Sequence, residues 1–471
     1  MKTYVKLAIS CITPLFILML PPEAIPLDKI TLVEQRVIAI FVMATLFWIL
    51  EPIPIYATSL LIILLELIMV SDKGFVSFVS QGAAPLGELL SYKAIMATFA
   101  SPIILLFLGG FFLAMAATKY RLDQNLARVM LRPFGKKPAW VMMGLMGITA
   151  VFSMFMSNTA TTAMMLSLLA PVLAVFDEGD RGKIAFVLCI PVAANIGGIA
   201  TPIGTPPNAV ALKYLTGEHS ISFGKWMTFA FPYVLILLGI AWVLLWKLYP
   251  TQTPSLNLNI KGKFLKSAKA KIVYATFAGT VLLWLTDFLH GMNSYIVAMI
   301  PVGVFSATGI ITKEDLKNIS WDVLWLVSGG IALGLALDKS GLAVNIIQNI
   351  PFEEFSPFVI IVGTALLATL MANFMSNTAT ANLLLPIVAA LGTSLQSLVP
   401  LGGVMMLILS VTMSCSLGMS LPVSTPPNAL AHGTGLLASK DLTKTGISLG
   451  IIGLFLIFGL MYLLNTVQFF H

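Results

Sequence analysis

Charge is what this chain has least of. Only 10% of its 471 residues are Asp, Glu, Lys or Arg, against about 25% in ordinary soluble domains. That scarcity excludes a chain whose main solvent is water. Cysteine is rarer still. Cys11, Cys189 and Cys415 lie too far apart for a zinc spacing or a disulfide framework. The 27 basic residues outnumber the 20 acidic ones only modestly. They gather in connections between apolar runs, which suits anionic lipid and not nucleic acid.

Apolar residues fill the space. They make up 58% of the chain, and the mean hydropathy is +0.95. Runs of roughly 17–25 apolar residues, the length of a membrane-crossing helix, recur along nearly the whole sequence. The 36 Gly and 26 Pro agree with this, since both are commoner in membrane helices than in soluble ones. The composition therefore predicts an all-α polytopic membrane protein. The first run, LAISCITPLFILML, follows Lys2 and Lys6 as a secretory leader would. The PPEAIPLDK after it holds no small-x-small cleavage site, so an uncleaved first helix is expected.

Spanning runs fall near 5–21, 33–50, 57–70, 94–118, 184–215, 226–249, 272–289, 294–311, 321–337, 399–432 and 445–468. Two more apolar regions, 139–176 and 357–398, are each long enough for two short helices. The run at 184–215 is interrupted by GGIATPIGTPPN and that at 399–432 by SLPVSTPPN. Pro-Pro removes two backbone donors and disfavours helix just before it, so both runs should break near mid-membrane.

Basic residues set the expected orientation. Lys119, Arg121, Arg128, Arg132, Lys136 and Lys137 follow the fourth span, and Lys261, Lys263, Lys266, Lys269 and Lys271 follow the sixth. With these inside, the N-terminus is cytoplasmic and the C-terminus extracytoplasmic. The regions 139–176 and 357–398 must then be re-entrant hairpins. The count is about 11 transmembrane helices plus two hairpins. Glu51, Glu66 and Asp287 fall near span ends and are expected to be interfacial or paired.

The chain also repeats itself. FMSNTAT occurs at 155–161 and again at 374–380; TPPN occurs at 205–208 and 425–428. Gly109-Gly110 and Gly329-Gly330 are 220 apart, as are Lys119 and Lys339. One unit of span, hairpin and broken span is used twice. The two copies cross the membrane in opposite senses, and such inverted repeats build many secondary transporters. The expected layout is scaffold helices over 1–93 and a first repeat over 94–249. A basic linker over 250–271, connecting helices over 272–311 and a second repeat over 312–471 follow.

At a hairpin tip deep in the membrane, Ser, Asn and Thr stand beside a helix N-terminus with free N–H groups. Such an end attracts anions. A single SNT would be read as ordinary helix-to-helix hydrogen bonding, and Ser153 alone still can be. Two tips facing each other, with Thr205 and Thr425 of the broken helices, instead suggest a pair of clamps for a diacid. The same loops suit cations. Ser153, Ser157 and Asn158 with a carbonyl near Gly204 form one set, and Asn377 with a carbonyl near Ser424 a weaker second. An enzyme using Ser157 or Ser376 as nucleophile is excluded, because no His, Lys or Asp lies within a helical turn to act as base. Charge rings or carbonyl filters of a channel are not apparent either.

The paired SNT and PPN motifs resemble those of the divalent anion/sodium symporter family, whose members carry dicarboxylates, citrate or sulfate. The resemblance covers essentially the whole chain. It implies an α-helical homodimer with a scaffold part and a moving part, working as an elevator. It implies that Ser157, Asn158, Thr159, Ser376, Asn377 and Thr378 contact substrate carboxylates, completed by Thr205-Pro206 and Thr425-Pro426. A first sodium site would comprise Ser153, Ser157, Asn158 and Gly204. At the second, with Asn377 and Ser424, sodium-coupled relatives carry a hydroxyl four places before the serine; this chain has Ala372. His432, just past the second PPN, is the expected substitute for the missing charge. The reading is thus a transporter of four- to five-carbon dicarboxylates (succinate, malate, fumarate, 2-oxoglutarate), exchanging or sodium-coupled. The alternatives are a sulfate-type oxyanion and citrate. No cofactor is expected beyond sodium as a coupling ion.

Overall fold

The structure, a computed structural model, describes residues 3–79, 85–177, 179–256 and 263–470. Among the described residues the regular elements are helical, and one bridge, Ser71 to Leu90, is the sole β contact. Helices of seven or more residues are numbered in chain order. They are α1 (Thr3–Met19), α2 (Leu32–Leu50), α3 (Ile55–Met69), α4 (Pro102–Lys119), α5 (Leu122–Leu131), α6 (Pro138–Phe155) and α7 (Asn158–Leu173). Next come α8 (Gly182–Gly198), α9 (Pro206–Leu212), α10 (Phe223–Leu248), α11 (Ala268–Leu285) and α12 (Ser294–Ala307). The last are α13 (Trp321–Lys339), α14 (Leu342–Asn349), α15 (Pro357–Phe374), α16 (Asn377–Ser394), α17 (Gly403–Cys415), α18 (Pro426–Gly433) and α19 (Ser439–Thr466).

Local chemistry explains where these helices start. Thr31 caps α2 reciprocally: its hydroxyl accepts from Glu34 N at 3.2 Å while Glu34 Oε2 accepts from Thr31 N at 2.8 Å. Both hairpins open with Pro at the first helical turn, Pro138 and Pro357, where the missing N–H costs nothing. The predicted breaks are present. α8 stops at Gly198 and α9 resumes at Pro206; α17 stops at Cys415 and α18 resumes at Pro426. Eight helical segments are long and apolar enough to cross a membrane, and five shorter apolar helices accompany them among the described residues. The protein is a multi-pass membrane protein.

Two features differ from the sequence reading. The connections at 119–137 and 338–354 contain short helices, α5 and α14. Their buried residues, such as Ala127 and Leu131 on α5 and Ala343 and Ile347 on α14, recur with helical spacing among polar ones. Counting long apolar runs misses such helices. Glu66 is not interfacial: it is fully buried in α3, and neither carboxylate oxygen has a hydrogen-bond partner. Part of the basic linker, 257–262 with Lys261, lies outside the described residues.

The Gly-Gly pairs fix how the helices meet. On α4, a Cβ at Gly109 would come within 2.3 Å of Ala298 O on α12, whereas Gly110 faces Ile203 of the unwound loop. On α13, a Cβ at Gly329 would reach Ser59 of α3 at 2.4 Å, and one at Gly330 would overlap Asn382 of α16. In each pair the first glycine packs on a neighbouring continuous helix, α12 or α3, and the second faces the unwound loop or the hairpin helix α16.

Candidate substrate and cation site

Ser157 and Ser376 stand at the two hairpin tips. Ser157 Oγ accepts from Ala160 N and Ser376 Oγ from Ala379 N, each at 3.2 Å. These are N-cap bonds, so each hydroxyl keeps its proton for another partner. Thr205 and Thr425 precede Pro-Pro, which holds both in the same extended backbone, φ −144° and ψ 143° against φ −141° and ψ 146°. These elements converge on one cavity of about 320 Å³. All ten residues expected to bind substrate line it: Ser157, Asn158, Thr159, Thr205, Pro206, Ser376, Asn377, Thr378, Thr425 and Pro426. No Lys, Arg or His is among the described lining residues; the ionisable ones are Asp322 and Tyr56. An anion placed here would meet hydroxyls, amides and helix N-termini and, among the described lining residues, no basic side chain.

The first cation set is compact. Ser153 Oγ lies 2.5 Å from Asn158 Oδ1 and 2.8 Å from Ala194 O, so its single proton serves one of them at a time. A Cβ at Gly198 would stand 2.7 Å from Asn158 Oδ1 and 2.9 Å from Gly204 O. Only glycine lets these oxygens draw so close. Asn208 holds the unwound segment by donating Nδ2 toward Gly198 O, Ile199 O and Thr201 O at 3.2, 3.1 and 2.9 Å.

The second set is built differently. Ala372 packs on Gly418, where a Cβ would come within 2.4 Å of the alanine methyl. Asn377 Oδ1 is buried with no hydrogen-bond partner. Ser424 Oγ donates to Asn373 O at 2.8 Å and accepts from Leu421 N at 3.1 Å. Thr369, three residues before Ala372, gives its hydroxyl to Ser414 O at 3.1 Å. That carbonyl is 220 positions after Ala194, the one served by Ser153.

His432 does not join the site. It is absent from the cavity lining, and its Nε2 sits 3.3 Å from Ser439 Oγ at the start of α19. On α18 it lies a helical turn beyond Asn428, away from the end that faces the cavity. The sequence reading missed Asn195. From α8 this buried side chain donates Nδ2 to Thr425 Oγ1 and to Asn428 Oδ1, both at 3.2 Å, joining the two repeats beside the cavity. Thr425 Oγ1 also accepts from Asn428 N at 3.3 Å. With both lone pairs engaged, its proton is left to donate.

The chain matches the family model described as "Citrate transporter" over residues 45–407. It is 30% identical to a sodium-dependent dicarboxylate transporter of Staphylococcus saprophyticus, over 91% of this chain and 85% of the relative. A Staphylococcus aureus protein of the same description is 31% identical over 95% and 88%. An uncharacterized transporter of Schizosaccharomyces pombe is 31% identical over 89% of this chain, which spans 48% of that longer protein. Among solved structures, the YdaH transporter of Alcanivorax borkumensis aligns with a TM-score of 0.56 and 13% identity, over 88% of this chain and 98% of that one. MtrF of Neisseria gonorrhoeae aligns at 0.52 and 11%, over 86% and 94%. These two speak for the fold alone. The match over most of the chain and the relatives' identity place it: this protein belongs to the citrate transporter family, the divalent anion/sodium symporter type of membrane transporter.

Proposed function

We propose that this protein is a secondary transporter of four- to five-carbon dicarboxylates, with one carboxylate held by each SNT tip. The convergence of both tips, with Thr205 and Thr425, on a single cavity of about 320 Å³ carries the reading. A diacid has two anionic ends, and an inverted duplication supplies two like clamps. The cavity is as large as ordinary small-molecule sites and roomy for a lone sulfate. The relatives' description as sodium-dependent dicarboxylate transporters supports the same substrate class and sodium as coupling ion. The family's description supports citrate as a second reading.

The motion is proposed to be an elevator: the hairpins and broken helices move as one unit against a frame containing α2, α3, α4, α12 and α13. The working form is a homodimer in the plasma membrane with its N-terminus in the cytoplasm. The missing hydroxyl at Ala372 weakens the second sodium site, which favours exchange of one dicarboxylate for another. Labelled succinate uptake into proteoliposomes tests the substrate class. Excess unlabelled succinate, malate or 2-oxoglutarate is expected to suppress uptake strongly and sulfate not at all. Suppression by sulfate but not by malate would overturn the assignment.

A further inference from the structure

The walls of the substrate cavity differ in charge. α7, α16 and α18 each begin at it, with Asn158, Asn377 and Pro426 in its lining, and none carries an acidic residue in its first turn. Those helix ends are left open to an anion. α13 begins at the cavity too, and its second residue, Asp322, lines it. An acid in the first turn favours the helix, yet here it places a carboxylate on the wall of an otherwise acid-free cavity. The residue is exposed, and among the described residues it has neither a hydrogen-bond nor an ion-pair partner.

The packing of α13 on α16 locates that carboxylate. Gly330 lies against Asn382; four residues further along both helices, Gly334 lies against Pro386, where a Cβ would stand 3.4 Å from the proline ring. The two helices therefore run side by side in the same direction. Asn382 Nδ2 also donates to Leu326 O at 3.2 Å. Followed back one turn, the register sets Leu326 level with Thr378 of the second tip, and both line the cavity. Asp322 lies one turn further out, about 6 Å along the axis, where α16 has not yet begun. It stands just beyond the second tip, on the exposed rim.

We infer that Asp322 is a specificity-determining residue, which admits dicarboxylates and disfavours anions with a third carboxylate. This rests on the proposed holding of one carboxylate at each tip. A third then has to lie off the line between the tips. Toward Phe107, Phe111 and Ile203, which line another wall, it would lose its water with no partner in return. Toward the rim it stays hydrated but meets Asp322. Like charges a few ångströms apart at a partly solvated site repel enough to change binding severalfold. Selectivity gained by repelling the wrong ligand costs the right one little. Citrate, with three carboxylates, is disfavoured on the same ground.

Competition against labelled succinate uptake in proteoliposomes tests this with two anions of one skeleton. Tricarballylate carries a third carboxylate where 3-methylglutarate carries a methyl group. In the parental protein tricarballylate should compete about tenfold more weakly; equal competition would overturn the inference without any variant. Asp322→Asn should cut that ratio about fivefold, Asp322→Lys should cut it further, and Asp322→Glu should keep it. A ratio that neither Asn nor Lys moves would assign the discrimination to shape and overturn the role of Asp322. If the residue served only to stabilise α13, stability and uptake rate would change and the ratio would not. Unlabelled succinate and 3-methylglutarate should both suppress uptake by the parental protein. Suppression by neither would defeat the diacid reading itself, which separates that failure from a failure at Asp322.

Discussion

The two copies of FMSNTAT are identical in sequence and unequal in surroundings. In the first, Ser153 brings a hydroxyl within 2.5 Å of Asn158 Oδ1, and Gly198 lets Gly204 O approach. In the second, the place of Ser153 is taken by the methyl of Ala372 against Gly418, and Asn377 Oδ1 is left buried without a partner. The capping serines match at 3.2 Å and the two threonine backbones agree within a few degrees. The tip geometry is therefore the same in both halves, while the oxygen-rich surroundings of the first tip have no equal at the second. If the tips clamp a diacid, both must meet the same chemical group, so symmetry serves them; coupling ions need not be bound equally.

The largest expected effect breaks the symmetric part. Asn158→Ala and Asn377→Ala should each lower labelled succinate uptake about a hundredfold in a folded protein, as expected when a hydrogen bond to a charged group and its orientation are lost. Near-normal uptake in either variant would remove that residue from the site. Next comes Asn195→Ala, which frees one lone pair of Thr425. The KM for succinate should rise about fivefold with the maximal rate little changed; a loss confined to the rate would assign Asn195 to the motion instead. Ala372→Ser should sharpen the asymmetry by a smaller amount, increasing the stimulation by sodium about twofold to fivefold. The smallest effect is expected at His432: His432→Phe should leave uptake and its sodium response unchanged, because the ring pairs with Ser439 outside the cavity.

These unequal effects follow what the sequence displayed. The tips and breaks were legible because SNT and TPPN are written twice and Pro-Pro cannot continue a helix. Asn195 was not, since the residue 220 positions later is Cys415 and no repeated motif marks it. His432 drew attention by lying four residues from Asn428, but that turn of α18 leads away from the cavity. The amphipathic α5 and α14 hid for another reason: their apolar residues are too few to form a run.

Whether the unequal cation sets govern coupling is decided by crossing an inward sodium gradient with unlabelled dicarboxylate preloaded inside proteoliposomes. With one intact set and one lacking its hydroxyl, labelled succinate uptake should require internal dicarboxylate and respond weakly to sodium. Strong uptake into empty vesicles, driven by sodium alone and unaffected by preloading, would mean that Ala372 leaves the second site functional and would contradict the account.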